Sequence, residues 1–450
     1  MPLKAISRDD TQLLEELMNI PGVTYQVKKA RVYPYNEATA HLTGYLAEIT
    51  AEELEKHKDK GYTANSMIGK AGLELIYEEK LRGELGGKIW IETEAGVEKD
   101  VVAEKPAANG EDIYLTIDSK VQTALYRQLE GEVGTAVALH PLTGEVLSMV
   151  SSPTYDPNKF VLGMSSQERT DLLEDAAKPL LNRFTHTFTP GSTIKPMIAA
   201  IALEDGWDTN EKRAIEGHIW QKDSTWGNYS VRRVTDPNHD VDLTDALVYS
   251  DNIYFAQMAI ELGIEKLEAG LREFGFDDSL PFEYPLTKSK IANERIDSEM
   301  RLADTGYGQG QMLISPLHLA LLYTTFVNEG SIPKPTLLKT DRELSYWKEG
   351  LVAPENASYI LEGLKDVVHH PRGTAAKAKM ADIPLAGKTG TTEHKEVQGE
   401  KGRETGWFVA MNTDNPELLV LLMVDNIENR GGSGFVVTKV KEAFLEVFSR

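Results

Sequence analysis

The chain has 450 residues, of which 41% are hydrophobic and 26% are charged, and its formal net charge is −22. A globular chain of this length is expected to fold as two or three domains rather than around one core. The net negative charge, with no cluster of basic residues, argues against nucleic acid and anionic membrane surfaces as partners. The absence of cysteine excludes disulfides, thiolate metal sites and a cysteine nucleophile.

Residues 1–118 are predicted to form a mixed α+β N-terminal domain with a polar composition. Its predicted elements are helices at Thr11–Ile20, after Thr50 and at Gly69–Gly83, and strands at Lys88–Glu92 and Asp112–Ile117. Thr50 and Glu53 have the spacing of a capping box, in which the hydroxyl and the carboxylate satisfy backbone donors at the start of a helix.

Residues 119–450 are predicted to form a second domain of the α/β class. Its predicted elements are helices at Val121–Leu129, through much of Ser192–Phe274 and at Val436–Phe448, and strands at Thr135–Leu139, Glu145–Val150, Leu385–Thr389, Gly406–Met411 and Leu418–Val424. The first two strands flank a tight turn and should form a hairpin. Because helices separate two strand-forming ends, we expect one sheet that joins the first and last strands.

No run of about 18 apolar residues is found that could cross a membrane as a helix. The first residues, Met1–Lys4, do not have the pattern of a signal peptide. These two observations fit a cytoplasmic protein, and they fit equally well an exported protein whose anchor has been removed.

A serine followed three residues later by a lysine is a plausible nucleophile and base. On a helix the two side chains share a face, so the amine can reach the hydroxyl. The amine must be neutral to accept the proton, and burial or a second cation lowers its pKa enough to permit that.

The Ser-x-x-Lys pattern occurs three times, and the surrounding residues separate the three pairs. Ser331 and Lys334 lie in a loop, with a proline between them. Ser345 and Lys348 lie in a charged stretch with nothing apolar after it. Ser192 instead follows a Thr-Pro-Gly turn and precedes an apolar run, which predicts a hydroxyl at a helix start. Its partner is Lys195, and the proline after that lysine suits a first helical turn.

Two further tripeptides, each present once, strengthen this assignment: Ser250-Asp251-Asn252 and Lys388-Thr389-Gly390. With the Ser192 pair they resemble, in the same order, the motifs of β-lactamases and penicillin-binding proteins. The resemblance implies a serine penicillin-recognising fold, with a central antiparallel sheet flanked by helices and an all-helical subdomain. It also implies an acyl-enzyme on Ser192.

The resemblance assigns a chemical role to each side chain of these motifs. Ser250 would relay a proton between Lys195 and the leaving amine. Asn252 would hydrogen-bond a substrate peptide group and help hold Lys195. Lys388 would bind a substrate carboxylate and lower the pKa of Lys195.

The Lys-Thr-Gly strand would also bind the substrate along its edge. The substrate-binding residues predicted there are Lys388, Thr389, Gly390 and Thr391, with Asn252 opposite. Gly390 would remove a side chain so that a peptide can approach closely. The backbone N–H groups of Ser192 and Thr391 would form the oxyanion hole.

Further segments resemble class B penicillin-binding proteins, the monofunctional peptidoglycan D,D-transpeptidases, and specifically the low-affinity, methicillin-resistance-type branch of Gram-positive bacteria. These segments are Trp220–Arg233, Ser250–Phe255, Gly306–Gly310, Gly406–Phe408 and, in the N-terminal region, His41–Tyr45 and Ile68–Glu74. The resemblance implies that residues 1–118 form a non-catalytic dimerisation or pedestal domain. It further implies a membrane anchor and a small domain that are not in this sequence, and so a place on the outer face of the cytoplasmic membrane.

The implied partners are peptidoglycan stem peptides, with D-Ala-D-Ala as donor and an amine as acceptor, β-lactam antibiotics, and a separate glycosyltransferase. No metal or cofactor is predicted, because the ten histidines include no His-Glu-x-x-His and no spacing typical of zinc.

Three alternative functions remain at this point. A β-lactamase shares the fold and motifs but hydrolyses its acyl-enzyme rapidly, and the long N-terminal region argues against it. A β-lactam sensor would couple the serine to membrane helices and a zinc protease, of which the sequence shows neither. A silent scaffold would be expected to have lost part of the motif set, and none is lost.

Overall fold

The computed structural model describes residues 5–94, 96–341, 343–394 and 402–449. Its helices are α1 (Thr11–Met18), α2 (Ala40–Thr43), α3 (Ala51–Lys56), α4 (Gly72–Ile76), α5 (Glu78–Leu81), α6 (Ser119–Leu129), α7 (Pro157–Leu162), α8 (Ser166–Glu174), α9 (Lys195–Glu204), α10 (Leu243–Val248), α11 (Asn252–Glu273), α12 (Glu299–Gly306), α13 (Pro316–Thr324), α14 (Pro354–His369) and α15 (Ser433–Phe448).

The strands of the described residues form one five-stranded sheet and several two-stranded ones. They are β1 (Leu46–Glu48), β2 (Met67–Gly69), β3 (Gly87–Glu92), β4 (Glu98–Lys105), β5 (Gly134–Leu139), β6 (Val146–Ser152), β7 (Ile219–Trp220), β8 (Val231–Arg232), β9 (Ile332–Pro333), β10 (Tyr346–Lys348), β11 (Leu385–His394), β12 (Arg403–Asn412) and β13 (Leu419–Asp425).

The chain divides into two compact units: residues 1–114 with 154–180, and residues 115–153 with 181–450. The unit boundaries differ from a single cut after residue 118, because the segment 154–180 packs with the N-terminal residues. Within that unit, for example, Asn158 Oδ1 accepts a hydrogen bond from the Tyr33 backbone N–H at 2.9 Å. The functional division at residue 118 stays a prediction.

The N-terminal unit has the mixed α+β character predicted for it. The capping box is present, with Glu53 N–H donating to Thr50 Oγ1 at 3.2 Å and Thr50 N–H donating to the Glu53 carboxylate at 2.7 Å. The hairpin of β3 and β4 includes the strand predicted at Lys88–Glu92.

Two predicted elements of the N-terminal region are wrong. The single helix over Gly69–Gly83 is instead β2 followed by α4 and α5, because Gly69 is extended and Tyr77 (φ −110°, ψ 22°) leaves the helical conformation. The strand over Asp112–Ile117 is absent from the described residues. Only Leu115 makes a backbone bridge there, to Leu338, so no ladder forms.

The second unit is organised around the five-stranded sheet, whose order is β11-β12-β13-β5-β6 with every pair antiparallel. β13 from the end of the chain pairs with β5 from the start of the unit, Leu419 opposite Leu139. The predicted union of the first and last strands is therefore confirmed, as is the hairpin of β5 and β6. The fold class, a central antiparallel sheet with helices packed against it, is also confirmed.

The region between β6 and β11 is mainly helical, and it supplies the buried helix on which the candidate site is built. All nine residues from Lys195 to Leu203 of α9 are buried, as expected for a helix inside a core. The short pairs β7–β8 and β9–β10 also lie in this region. In the part of the chain that the structure describes, no helix is long and apolar enough to cross a membrane.

Candidate active site

Ser192 lies in a single 3-10 turn, Gly191–Ile194, that runs directly into α9. In a 3-10 turn the side chains at i and i+3 eclipse each other, which directs Ser192 and Lys195 to the same side. Pro196 occupies the first turn of α9, as predicted. Ser192 is half-buried, whereas Lys195 is fully buried.

Two glycines allow this turn to form. Gly191 has a left-handed φ of +54°, and its N–H donates to the Gly308 carbonyl oxygen at 2.9 Å. A Cβ on Gly308 would lie 2.0 Å from the Gly191 carbonyl oxygen. The segment around Gly308 therefore supports the turn that carries Ser192, and a larger residue there would displace it.

The amine of Lys195 is surrounded by three acceptors from the turn before α11. Its Nζ donates to the Ser250 carbonyl oxygen at 2.7 Å and to Asn252 Oδ1 at 2.6 Å, and it lies 3.2 Å from Ser250 Oγ, a hydroxyl that can accept from the charged amine or donate to the neutral one. The Phe255 ring centroid lies 5.5 Å from the same nitrogen. The amine is thus held in a fixed position at the start of α9.

The turn Ser250–Asn252 has an unusual backbone conformation that presents these acceptors. Ser250 has a φ of +56°, which non-glycine residues seldom adopt. Asp251 caps α11 by accepting from Ile253 N–H at 2.8 Å. Asn252 Nδ2 donates to the Arg232 carbonyl oxygen at 2.9 Å, which turns the amide oxygen toward Lys195.

Lys388 enters the site from β11 and is also fully buried. Its Nζ donates to Ser250 Oγ at 2.8 Å and to the Thr389 carbonyl oxygen at 3.2 Å. Ser250 Oγ therefore lies between two buried amines, one from α9 and one from β11. This hydroxyl can pass a proton between them, or between one of them and a bound group.

Both buried amines have a pKa below the ordinary value of a lysine. Burial, and then the charge of Lys388, hold the pKa of Lys195 well below its ordinary value, while Asp251 opposes that effect. Burial lowers the pKa of Lys388 to about 7. The lowered pKa favours the neutral form of Lys195, which can act as a base.

The strand β11 lies against the Ser192 turn. A Cβ on Gly390 would lie 2.8 Å from Thr193 Cγ2 and 2.9 Å from the Pro190 carbonyl oxygen. The sequence suggested that Gly390 leaves room for a bound peptide, but the chain's own turn fills that space. The small residue is needed for internal packing.

The two backbone groups predicted as an oxyanion hole come from these adjoining elements. A Cβ on Gly191 would lie 2.9 Å from the Thr391 carbonyl oxygen, so the residue before Ser192 lies beside Thr391. Gln309 Nε2 donates to that same carbonyl oxygen at 3.4 Å. Thr389 Oγ1 donates to Thr374 Oγ1 at 2.8 Å, which fixes the side chain of the middle residue of the Lys-Thr-Gly strand.

Sequence reasoning gave no role to several residues that shape the site. Gly308, Gln309 and Arg233 lie in segments that the resemblance singled out without a function. Tyr323 donates its hydroxyl to the Thr193 carbonyl oxygen at 2.6 Å, and Arg233 pairs with Asp251 at 2.9 Å. No local pattern assigns these residues to the site, because they reach it through contacts that only the folded chain creates.

The two other Ser-x-x-Lys pairs do not form such a site. Ser331 precedes β9, and its Oγ accepts from Gly350 N–H at 3.0 Å. Ser345 precedes the short strand β10 and not a helix. Lys348 forms an ion pair with Asp278 at 3.3 Å. Within the described ranges, no group of three or more histidine, aspartate or glutamate side chains could hold a metal ion.

Two family models match the sequence. The penicillin binding protein transpeptidase domain matches residues 134–446. The penicillin-binding protein dimerisation domain matches residues 1–115.

Curated relatives match along nearly all of the chain. Penicillin-binding protein 3 of Bacillus subtilis is 49% identical over 99% of the chain and 66% of that protein. Peptidoglycan D,D-transpeptidase MrdA of Haemophilus influenzae is 32% identical over 89% of the chain and 66% of that protein. The protein of the same name from Escherichia coli K12 is 30% identical over 95% of the chain and 72% of that protein. The chain therefore spans about two thirds of the length of these relatives. The methicillin-resistance branch stays a prediction.

Two solved structures are similar in fold. Pseudomonas aeruginosa PBP2, in complex with WCK 5153, has a TM-score of 0.77 at 29% identity, covering 94% of this chain and 91% of that one. PBP2 of Helicobacter pylori, in complex with MreC, has a TM-score of 0.81 at 24% identity, covering 97% and 83%. The second likeness shows the fold alone.

Proposed function

Because the chain belongs to the class B penicillin-binding proteins, we propose that it is a serine D,D-transpeptidase that cross-links peptidoglycan stem peptides. The observation that carries this proposal is the position of Ser250 Oγ, 2.8 Å from Lys388 Nζ and 3.2 Å from Lys195 Nζ. Both amines are buried, and Lys195 starts the helix that follows Ser192. This arrangement supports nucleophile activation and proton return to a leaving group.

In the acylation step, Ser192 Oγ attacks the carbonyl carbon between the two D-alanines of the donor peptide. Its proton passes to the neutral amine of Lys195, and the N–H groups of Ser192 and Thr391 stabilise the oxyanion. When the tetrahedral intermediate collapses, the C–N bond breaks and D-alanine leaves. The nitrogen of D-alanine takes the proton by way of Ser250, and an ester on Ser192 remains.

Deacylation repeats these steps in reverse with a different amine. The acceptor amine attacks the ester carbonyl carbon and its proton passes to Lys195. The C–O bond to Ser192 then breaks, and Lys195 returns the proton to Ser192 Oγ. The product is an amide that joins two stem peptides. Ser192 in the first step and the acceptor amine in the second each give a proton to Lys195, so no second base is required.

Substrate recognition is proposed for the Lys-Thr-Gly strand and the facing asparagine. Lys388 and Thr389 would bind the terminal carboxylate of the donor, and Asn252 would bind a peptide group with its amide. The backbone at the edge of β11, at Gly390 and Thr391, would pair with the backbone of the donor peptide. A β-lactam carries a carboxylate and a strained amide in place of the D-Ala-D-Ala end, so the same groups would bind it and acylate Ser192.

The proposed place of action is the outer face of the cytoplasmic membrane, where peptidoglycan stem peptides are found. An N-terminal membrane anchor and a partner glycosyltransferase remain part of this proposal. A glycosyltransferase would supply the glycan strands whose peptides this chain joins. The prediction of a dimerisation or pedestal role for residues 1–118 is supported by the family match to residues 1–115.

The direct test is a transpeptidation assay with a stem pentapeptide ending in D-Ala-D-Ala and an added amine acceptor. We expect one D-alanine released for each amide or acid formed, with the amide fraction rising as acceptor is added. The Ser331→Ala variant, which alters a rejected Ser-x-x-Lys pair, serves as the matched control and should behave like the wild type. Accumulation of acid alone at every acceptor concentration would contradict the transpeptidase proposal.

A further inference from the structure

Next to the Lys195 site lies an ion pair that the proposed mechanism does not use. Arg233 Nη1 and Asp251 Oδ2 are 2.9 Å apart, and both side chains are 0% exposed. The guanidinium also donates from Nε to the Gly217 carbonyl oxygen and from Nη2 to the Ile215 carbonyl oxygen, each at 2.7 Å. Its Nη2 lies 2.9 Å from Asp236 Oδ1. The arginine is thus fixed by bonds on both of its terminal nitrogens and on Nε.

The Asp251 carboxylate also caps the N-terminus of α11. Its Oδ1 accepts from the N–H groups of Ile253 at 2.8 Å and Tyr254 at 3.2 Å. Asparagine and serine cap helices about as well as aspartate does. Burying two charges costs desolvation energy that their attraction does not always recover. Capping alone therefore does not explain a buried aspartate with a buried arginine partner.

The location of the pair suggests what it is for. Asp251 lies between Ser250 and Asn252, and both neighbours contact Lys195 Nζ. Asn252 Nδ2 in turn donates to the carbonyl oxygen of Arg232, the residue before Arg233. Arg232 and Arg233 therefore hold Asn252 and Asp251, in the turn that surrounds Lys195.

The charges around Lys195 come from three elements. Lys388 on β11 lowers the pKa of Lys195, and Asp251 at the start of α11 raises it. Arg233, which follows β8, forms an ion pair with Asp251 and a second one with Asp236. Without the guanidinium, the Asp251 carboxylate would act on Lys195 uncompensated and favour its charged form, which cannot accept a proton.

We propose that Arg233 is a positioning residue for the acylation reaction: its guanidinium holds the Asp251 carboxylate away from Lys195, so that Ser250 and Asn252 present their acceptors to a neutral amine. The inference rests on the proposed function, since it concerns the base of that reaction. Arg233 touches neither substrate nor reacting atoms. It acts through Asp251.

The test is the pH profile of acylation by a fluorescent penicillin in three variants: Arg233→Met, Asp251→Asn and the double variant. Arg233→Met should raise the midpoint of the acid limb by about one pH unit, because the pKa of Lys195 rises, and a shift of one unit is a tenfold change at a fixed pH below it. Acylation at a pH below both midpoints should fall about tenfold, and it should recover to the wild-type rate at a pH above them. Asp251→Asn keeps a capping residue and should leave the midpoint at or below that of the wild type.

The double variant removes both charges and should return the midpoint to within about 0.3 units of the wild type, since a neutral pair restores the balance of charge. Arg233→Lys should recover part of the loss. The matched control is Arg213→Met, which breaks another arginine ion pair to α11, that of Arg213 with Glu261 at 2.7 Å. This variant should not move the midpoint.

A uniform loss of rate in Arg233→Met at every pH, with an unchanged midpoint, would show a merely structural pair and overturn the inference. If Arg233→Met does not fold, the double variant decides: a midpoint that differs from the wild type by a full unit also overturns it. Absence of any acylation in the folded wild type would instead count against the proposed function.

Discussion

Replacing Ser192 with alanine is expected to abolish covalent labelling by a fluorescent penicillin. The variant lacks the hydroxyl that lies three residues before the buried Lys195, so no ester can form there. The substitution removes one oxygen from a half-buried side chain and should leave the fold intact. Denaturing electrophoresis with fluorescence detection measures the outcome, since only a covalent adduct survives.

The controls are the serines of the two rejected pairs. Ser331→Ala and Ser345→Ala should label as the wild type does, because those serines adjoin short strands and not the start of a helix. Peptide mapping should place the label on the peptide that contains Ser192. Label on either of the other serines would overturn the assignment of the nucleophile.

Removing the amine of Lys195 is expected to slow acylation by a factor of about 10² to 10⁴, the usual contribution of a positioned base. The acceptors at 2.6–3.2 Å that hold this amine would be left without their donor, but the groups proposed to bind the ligand remain. Lys195→Ala leaves a cavity in the core, so Lys195→Met, which keeps most of the volume, is the better variant. Stopped-time labelling gives the second-order acylation rate constant.

The lysines of the rejected pairs again provide matched controls. Lys334→Ala and Lys348→Ala should acylate at the wild-type rate, because Lys348 is paired with Asp278 in the structure and neither lysine adjoins Ser192. Circular dichroism checks that each variant is folded. If Lys195→Met acylates at a near-normal rate with an unchanged spectrum, another group is the base.

The parts of the fold that the sequence predicted are those with a local pattern. The strands of the central sheet show it best, because β5, β12 and β13 each contain a run of apolar residues. Their pairing in one sheet followed from their positions at the two ends of the domain. Segments whose structure depends on distant partners were predicted less well. Asp112–Ile117 follows a predicted turn and was expected to be a strand, yet only Leu115 makes a bridge.

The candidate site shows the same limit. Sequence context chose Ser192 among three serines, because a Thr-Pro-Gly turn and an apolar run are local signals. The order of the motifs also predicted that Ser250, Asn252 and Lys388 belong with Lys195. Burial could not be predicted: two lysines that are each fully buried are rare, and their lowered pKa values follow from that burial.

Arg233 and Gly390 illustrate why the rest was missed. Arg233 finds Asp251 through a contact that only the folded chain creates, and an arginine in a polar loop is ordinarily exposed. Gly390 was assigned to substrate approach, whereas the atoms nearest to its missing side chain belong to Pro190 and Thr193. In both cases the sequence shows the residue type but not its neighbours.

The lifetime of the acyl-enzyme separates a transpeptidase from a β-lactamase, since both would acylate Ser192. A β-lactamase that turns over at ~10² per second needs a deacylation barrier of roughly 15 kcal/mol, whereas an adduct that lasts on the order of an hour needs about 22 kcal/mol. The difference of about 7 kcal/mol is more than one oxyanion donor supplies and fits the lack of a general base for water. A transpeptidase gains from that lack, because its ester must persist until an amine arrives.

Intact-mass spectrometry after removal of free drug therefore tests the central claim most directly. We expect one β-lactam adduct per chain that persists for many minutes and is absent from Ser192→Ala. Loss of the adduct within seconds, with steady production of hydrolysed drug, would contradict the transpeptidase function and favour a β-lactamase.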